Sequence, residues 1–122
     1  MRRIGELEAA VMHAVWEAPS PVTVRALLES VNNSSKKRPL AYTTILSVVG
    51  KLYTKGLLHR DATDRAHRYS PTMSKEQYTA GLMRQTLETS EDPRAALLHF
   101  VGELTAEERS AMLEHARRLK RA

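Results

Sequence analysis

The sequence of 122 residues is 42% hydrophobic and 27% charged, with a net charge of +5, and its length suits one domain or one domain with an appended arm. The absence of cysteine excludes a disulfide framework, a thiolate metal site and a thiol nucleophile. No signal-type apolar run follows Met1 and no stretch reaches about 18 consecutive apolar residues, so we expect a cytoplasmic protein without membrane insertion.

The first predicted helix runs from Ile4 to Glu17, with Trp16 near its end. Its apolar residues fall on one stripe, formed by Leu7, Val11, Ala14 and Val15. An Ala-Pro-Ser-Pro run at 18–21 stops this helix, because proline cannot supply the backbone N–H that a helix needs.

The second predicted helix begins after Thr23, which is expected to cap it, and ends near Asn32. Val22 is expected to pack on Leu27 as a hydrophobic staple. The predicted buried face is formed by Val24, Leu27, Leu28 and Val31. Residues 32–39 form a polar, basic loop, and Pro39 prevents a helix from running through it.

The third predicted helix ends at Gly56, which suits the left-handed position after a helix C-terminus. Apolar residues at i, i+3, i+4 and i+7 form a buried stripe of Ile45, Val48, Val49 and Leu52. The opposite face carries the short side chains of Thr43, Ser47, Gly50 and Thr54. Lys51 and Lys55 lie on its flank and at its end, where both are expected to reach phosphates. Short side chains let a helix approach base edges and phosphates closely.

This pattern is typical of a DNA recognition helix. The residues predicted to contact bases or the adjacent backbone are Tyr42, Thr43, Thr44 and Ser47. The alternative for each is a helix cap or a solvated hydroxyl, and Thr44 lies at the edge of the buried stripe.

A hairpin is predicted next, with strands at 57–63 and 66–71 and with Asp64 and Arg65 at its tip. In this register Asp61 faces Arg68, and Arg60 faces Tyr69. The candidate phosphate contacts of helix and hairpin are Lys51, Arg60, Arg65 and Arg68. Two alternatives remain open: Arg65 enters a minor groove, or Arg68 pairs with Asp61 on the surface. The order of these elements predicts a winged helix-turn-helix domain over residues 1–72.

Residues 73–122 are predicted to be entirely helical, because three start signals occur there. They are the capping boxes Ser74/Gln77 and Thr105/Glu108 and the Asp92-Pro93 pair. These helices carry more apolar surface than they can bury alone, so we predict a dimerisation region. Its predicted contact residues are Tyr78, Leu82, Leu97, Phe100, Val101, Met112 and Leu113. The alternative is that these helices fold back on the winged domain in a monomer.

The positive charge is unevenly distributed. Residues 1–72 hold 11 Lys/Arg and 6 Asp/Glu, whereas residues 73–122 hold 8 of each. A polyanionic partner for the first part is therefore favoured over an ordinary solvated basic surface.

Metal binding, cofactors and catalysis are not expected. No two of the histidines, His13, His59, His67, His99 and His115, have the helical spacing of metal ligands. The sequence contains neither a phosphate-binding glycine loop nor a nucleophile with an adjacent base.

Three segments resemble the penicillinase-repressor family of bacterial transcription regulators, the BlaI/MecI/CopY group. They are the Glu-Leu-Glu run at 6–8 with Val-Trp-Glu at 15–17, the Ala-Tyr-Thr-Thr run at 41–44, and Lys-Leu-Tyr-Thr-Lys-Gly-Leu-Leu at 51–58. The resemblance covers nearly the whole chain. It implies a homodimeric repressor whose winged helices bind a palindromic operator and whose C-terminal helices interlock.

The resemblance also implies a route to derepression. In relatives that respond to β-lactams, and so serve antibiotic resistance, a membrane-bound sensor-protease pathway leads to cleavage between an Asn and a Phe in the C-terminal region. The matching position is His99-Phe100, where this sequence has His instead of Asn. The copper-responsive relatives carry cysteine ligands that this chain lacks, so copper sensing by that route is not expected.

The sequence therefore predicts a mainly α fold with a small β-hairpin, in which a winged helix-turn-helix domain precedes a helical dimerisation arm. The predicted function is operator binding and repression by a homodimer. A competing interpretation is a winged-helix module that binds another protein without sequence-specific DNA binding. Non-specific chromosome architecture is a third.

Overall fold

The computed structural model describes residues 4–19, 21–34, 38–62 and 65–121. The elements in chain order are α1 (Glu6–Glu17), α2 (Val24–Ser34), α3 (Tyr42–Thr54), β1 (Leu58–Asp61), β2 (Arg68–Pro71), α4 (Lys75–Glu88), α5 (Pro93–Glu103) and α6 (Ala106–Arg121). The predicted fold class is confirmed. Asp64 at the predicted hairpin tip and residues 35–37 of the predicted loop lie outside the described residues.

The first three helices share one apolar core. The predicted stripe of α3 is confirmed, because all four of its residues are buried. From α1 the core takes Val11, Val15 and also Met12, which lies beside the predicted stripe. From α2 it takes Val24, Leu27 and Val31. Three amphipathic helices thus bury one face each against the others and leave their polar faces outside.

Helix α2 begins as predicted, since the Thr23 Oγ1 accepts a hydrogen bond from the Ala26 N–H at 3.2 Å. It ends at Ser34, later than predicted. Asn32 lies inside the helix, and its side chain bonds to Leu40: Oδ1 accepts from the Leu40 N–H at 2.9 Å, and Nδ2 donates to the Leu40 carbonyl at 3.2 Å. This amide fastens the segment before α3 to the end of α2.

The hairpin register is confirmed, with Arg60 opposite Tyr69 and Asp61 opposite Arg68. Val22 also pairs with Tyr69, as each N–H donates to the other residue's carbonyl at 2.9 and 2.7 Å. The segment between α1 and α2 therefore pairs with β2 through one residue, as an isolated antiparallel bridge. This backbone pairing fixes Val22 beside β2.

Helix α4 begins against α1. The Trp16 indole N–H donates to the Met73 carbonyl at 3.0 Å, and the Trp16 and Tyr78 rings lie 5.9 Å apart. Tyr78 is buried in the core that α1–α3 form. The chain thus leaves the hairpin along a path held by one hydrogen bond and one aromatic contact.

The chain forms two compact units, residues 1–82 and 83–122, and the division falls within α4. The first unit contains the predicted winged domain together with the start of α4. The predicted start signals of the later helices are confirmed. Ser74 and Gln77 bond reciprocally at 2.8 and 3.0 Å, Thr105 and Glu108 do so at 2.8 and 3.1 Å, and the Asp92 carboxylate accepts from the Ala95 N–H.

Among the described residues, no helix is long and apolar enough to cross a membrane.

Gly56 allows the sharp turn from α3 into β1, since its φ of +81° lies in the left-handed region. We expect Gly56→Ala to lower the free energy of unfolding by about 1–2 kcal/mol. A Cβ there would meet nothing within 4 Å, so the loss would come from backbone strain alone. Urea unfolding followed by the fluorescence of Trp16, the single tryptophan, measures it.

Gly50→Ala is the matched control, because Gly50 lies inside α3 and a Cβ there also meets nothing within 4 Å. It should raise stability by about 0.5–1 kcal/mol through helix propensity. Equal shifts of the same sign for both variants would contradict the backbone explanation.

Candidate nucleic-acid interface

Helix α3 presents a polar outer face over an apolar inner face. Ile45, Val49 and Leu52 are completely buried, whereas Thr43 and Ser47 are exposed. No described residue forms a hydrogen bond with the hydroxyls of Thr43 and Ser47, so both are available to an external ligand. The Thr54 hydroxyl donates to the Gly50 carbonyl at 2.9 Å and is already engaged. Thr44 is half-buried at the edge of the face.

Two arginine–tyrosine stacks flank this face. The Arg60 guanidinium carbon lies 4.2 Å from the centre of the Tyr53 ring, and that of Arg25 lies 5.3 Å from the centre of the Tyr42 ring. Both distances are within the range of cation–π attraction. Arg60 and Tyr42 are predicted site residues, whereas sequence reasoning missed Arg25. Its polar position on α2 indicates exposure but cannot indicate which ring it covers.

Lys55 does not lie on the open face. Its Nζ contacts both carboxylate oxygens of Glu8 at 2.7 and 3.0 Å, and both side chains are largely buried. The expectation that Lys55 reaches phosphates is therefore wrong, because α1 supplies a carboxylate at this end of α3. Lys51 stays exposed on α3. The ion pair instead fixes the C-terminal end of α3 against α1.

The hairpin carries the remaining predicted cations. Arg60, Arg65 and Arg68 are all exposed, and Arg65 lies next to the undescribed tip. Arg68 stands opposite Asp61 in the confirmed register, as the surface-pair alternative requires. Leu46 is a further exposed residue of α3 that sequence reasoning missed. Its position outside the i, i+3, i+4, i+7 stripe is the signal that could have found it.

The residues predicted for dimerisation divide between the two units. Tyr78 is buried in the first unit and Leu82 is half-buried there, so little of Tyr78 is accessible to a second chain. The other predicted residues lie in the second unit, where Val101 is half-buried and Leu97, Phe100, Met112 and Leu113 are exposed. His99 and Phe100, the candidate cleavage position, lie in the middle of α5.

No group of three or more His, Cys, Asp or Glu side chains suited to a metal ion occurs within the described ranges.

An apolar-backed helix with an open hydroxyl face, next to a basic hairpin, defines the winged helix-turn-helix class of DNA-binding proteins. The model of the penicillinase repressor family matches residues 4–118. The chain belongs to the penicillinase repressor family, and it is a DNA-binding transcriptional repressor.

Relatives and solved structures agree with this assignment. The chain is 41% identical over 115 residues to the transcriptional regulator BlaI of Mycobacterium tuberculosis, covering 92% of this chain and 81% of that protein. The solution structure of the DNA-binding domain of the repressor BlaI is 22% identical, with a TM-score of 0.52 over 64% of this chain and 94% of that domain. A MarR family protein from Bacillus stearothermophilus is 16% identical, with a TM-score of 0.51 over 98% of this chain and 75% of that one. The two structures share its fold.

Proposed function

We propose that this repressor binds a palindromic operator as a homodimer, with each α3 in a major groove. The observation that carries the proposal is the open hydroxyl face of α3 over a fully buried stripe. Thr43 and Ser47 would contact base edges, Thr44 would lie at the margin, and Tyr42 would touch the backbone. Exposed Leu46 offers an apolar contact for a thymine methyl group.

The dimer is supported by the second unit, which has almost no interior of its own. None of the described residues in 83–120 is fully buried, and α5 contains no buried residue. Its exposed apolar side chains are Met83, Leu97, Leu98, Phe100, Met112, Leu113 and Leu119. Capped helices without a core need another surface to cover them, and a second copy offers the same apolar residues in return.

Phosphate contacts would supply most of the affinity. Lys51, Arg60, Arg65 and Arg68 are the proposed cations, with Arg65 also within reach of a minor groove. About eight phosphates neutralised per dimer would give a slope of log affinity against log salt near −7.

The two recognition helices would read half-sites about 34 Å apart, or a small multiple of this repeat. A dimer bound over a promoter would exclude polymerase.

Derepression is proposed to follow cleavage at His99-Phe100 through a sensor-protease pathway. Cleavage there would separate the first unit from most of the residues that support dimerisation. The bond lies inside a hydrogen-bonded helix, where the His99 Nε2 is 3.3 Å from a Glu103 carboxylate oxygen. A protease would therefore need α5 to unwind locally before cleaving it.

The test is a mobility-shift assay of the full chain on fragments of its gene's own upstream region, followed by footprinting and a salt series. We expect a protected palindrome and a slope near −7. Equal affinity for every duplex would instead support chromosome architecture. A specific complex with a slope near zero would contradict the phosphate account.

A further inference from the structure

The two arginine–tyrosine stacks lie on the same flank of α3. At 3.6 residues per turn, Tyr42 and Tyr53 point in nearly the same direction, and their separation along the helix axis is about 16 Å. Each ring is 40% exposed, so neither is simply part of the core. Arg25 reaches Tyr42 from α2, and Arg60 reaches Tyr53 from β1. Three separate elements thus place two guanidinium groups along one edge of the recognition face.

Neither guanidinium is neutralised within the described part of the chain. Glu8, Glu17 and Glu114 pair with Lys55, Lys75 and Arg118. A guanidinium that lies over a ring can still offer its other N–H groups to a phosphate. Two positive groups are therefore held over aromatic rings, and neither has a carboxylate partner among the described residues.

We infer that the Tyr42 and Tyr53 rings orient Arg25 and Arg60 as two phosphate clamps. By a phosphate clamp we mean a guanidinium group that binds a DNA phosphate, and both would bind phosphates along the same side of the major groove beside α3. This inference rests on the proposed docking of α3 and extends it, because it adds Arg25 as a DNA-binding residue and gives Tyr53 a positioning role. Lys51, on the other flank of α3, faces the opposite wall. The groove is about 12 Å wide, so a helix inside it brings both flanks close to phosphates.

A phosphate clamp and a simple surface charge differ in how DNA affinity responds when the arginine is replaced by lysine. In-plane guanidinium donors match phosphate oxygens in pairs, whereas a lysine ammonium neither stacks as a plane nor offers a fork. Removing the arginine should remove both the charge contact and the paired hydrogen bonds to phosphate. Replacing it by lysine should keep the charge contact but remove the paired hydrogen bonds.

The experiment uses the full chain and a short mixed-sequence DNA duplex, because phosphate contacts do not depend on sequence. Fluorescence anisotropy over a salt series gives the affinity and the salt slope. We expect Arg25→Gln to weaken binding about tenfold at low salt and to reduce the slope by about one for each substituted protomer in contact with DNA. Arg25→Lys should keep the slope of the unsubstituted protein and still bind several-fold more weakly.

Arg84→Gln is the matched control, since it removes the same charge from an exposed position of α4 in the second unit. It should bind as the unsubstituted protein does. Tyr53→Leu should reproduce most of the Arg60→Lys loss, and adding Arg60→Lys to it should cost little more, since Tyr53 acts only through Arg60. Circular dichroism of each variant checks that folding is intact.

Three outcomes would overturn the inference: an unchanged slope for Arg25→Gln, full affinity for Arg25→Lys, or additive losses for Tyr53→Leu and Arg60→Lys. In each of these the unsubstituted protein still binds the duplex with a steep slope, so the proposed function survives. Failure of the unsubstituted protein to bind any duplex would instead overturn the proposed function.

Discussion

Ser47→Glu is expected to abolish operator binding while leaving the first unit folded. Ser47 lies in the middle of the open face of α3, and its side chain is exposed. A carboxylate there would face phosphates and the acceptor-rich groove, and like charges brought together across an interface cost several kcal/mol. The affinity should therefore fall by about a hundredfold or more. Titration in a mobility-shift assay at fixed salt measures the loss, and thermal unfolding verifies the fold.

Two controls separate the effect of the new charge from the loss of the hydroxyl and from the addition of a carboxylate elsewhere on the surface. Ser47→Ala removes only the hydroxyl and should cost about tenfold or less. Ser30→Glu makes the same chemical change at an exposed position of α2 outside the α3 face and should leave operator affinity nearly unchanged. If Ser47→Glu binds the operator as well as Ser30→Glu does, α3 does not lie in the groove and the protein-binding interpretation gains support.

Phe100→Asp is expected to convert the proposed dimer into a monomer with weak operator affinity, and Leu97→Asp should act in the same way. These side chains are 46% and 47% exposed in the single chain, so a charge should not unfold α5. In a dimer seam, however, the new carboxylate would be desolvated without a partner. Losing the second recognition helix should weaken operator binding by about a hundredfold, because bivalent attachment is lost. Sedimentation equilibrium gives the mass, and a shift assay gives the affinity.

Ala95→Asp is the control for Phe100→Asp, since position 95 lies on the opposite side of α5 from Leu97 and Phe100. A carboxylate in the first turn of a helix is electrostatically favourable, so α5 should remain intact. This variant should stay dimeric. An unchanged mass for both Phe100→Asp and Leu97→Asp would show that the copies meet elsewhere or do not meet.

Local patterns predicted much of the fold. The buried stripe of α3, the left-handed Gly56, both capping boxes and the hairpin register all follow from residues that are neighbours in the chain. Each depends on helix periodicity, on a cap only three residues away, or on a short turn. Such interactions form within one element, so their residue types and spacing are sufficient to predict them.

Contacts between distant residues could not be predicted in this way. Lys55 and Glu8 are 47 positions apart, and nothing local to Lys55 indicates that α1 will supply a carboxylate. The same is true of the pairing of Val22 with Tyr69 and of the bond from Trp16 to Met73. These partners meet only after the three helices have packed, when the shape of the shared core decides which surfaces face one another.

The candidate site shows the same division. The sequence by itself determined that α3 has an apolar side, a hydroxyl side and cations nearby, because helix geometry converts spacing directly into faces. Only the tertiary structure decided which cations remain available: it engages Lys55 with Glu8 and stacks Arg25 and Arg60 on tyrosines at opposite ends of α3. The physical reason is that a charge is neutralised or oriented by the groups that packing brings within a few ångströms of it. Which residues share a face of a helix depends only on their spacing within that helix.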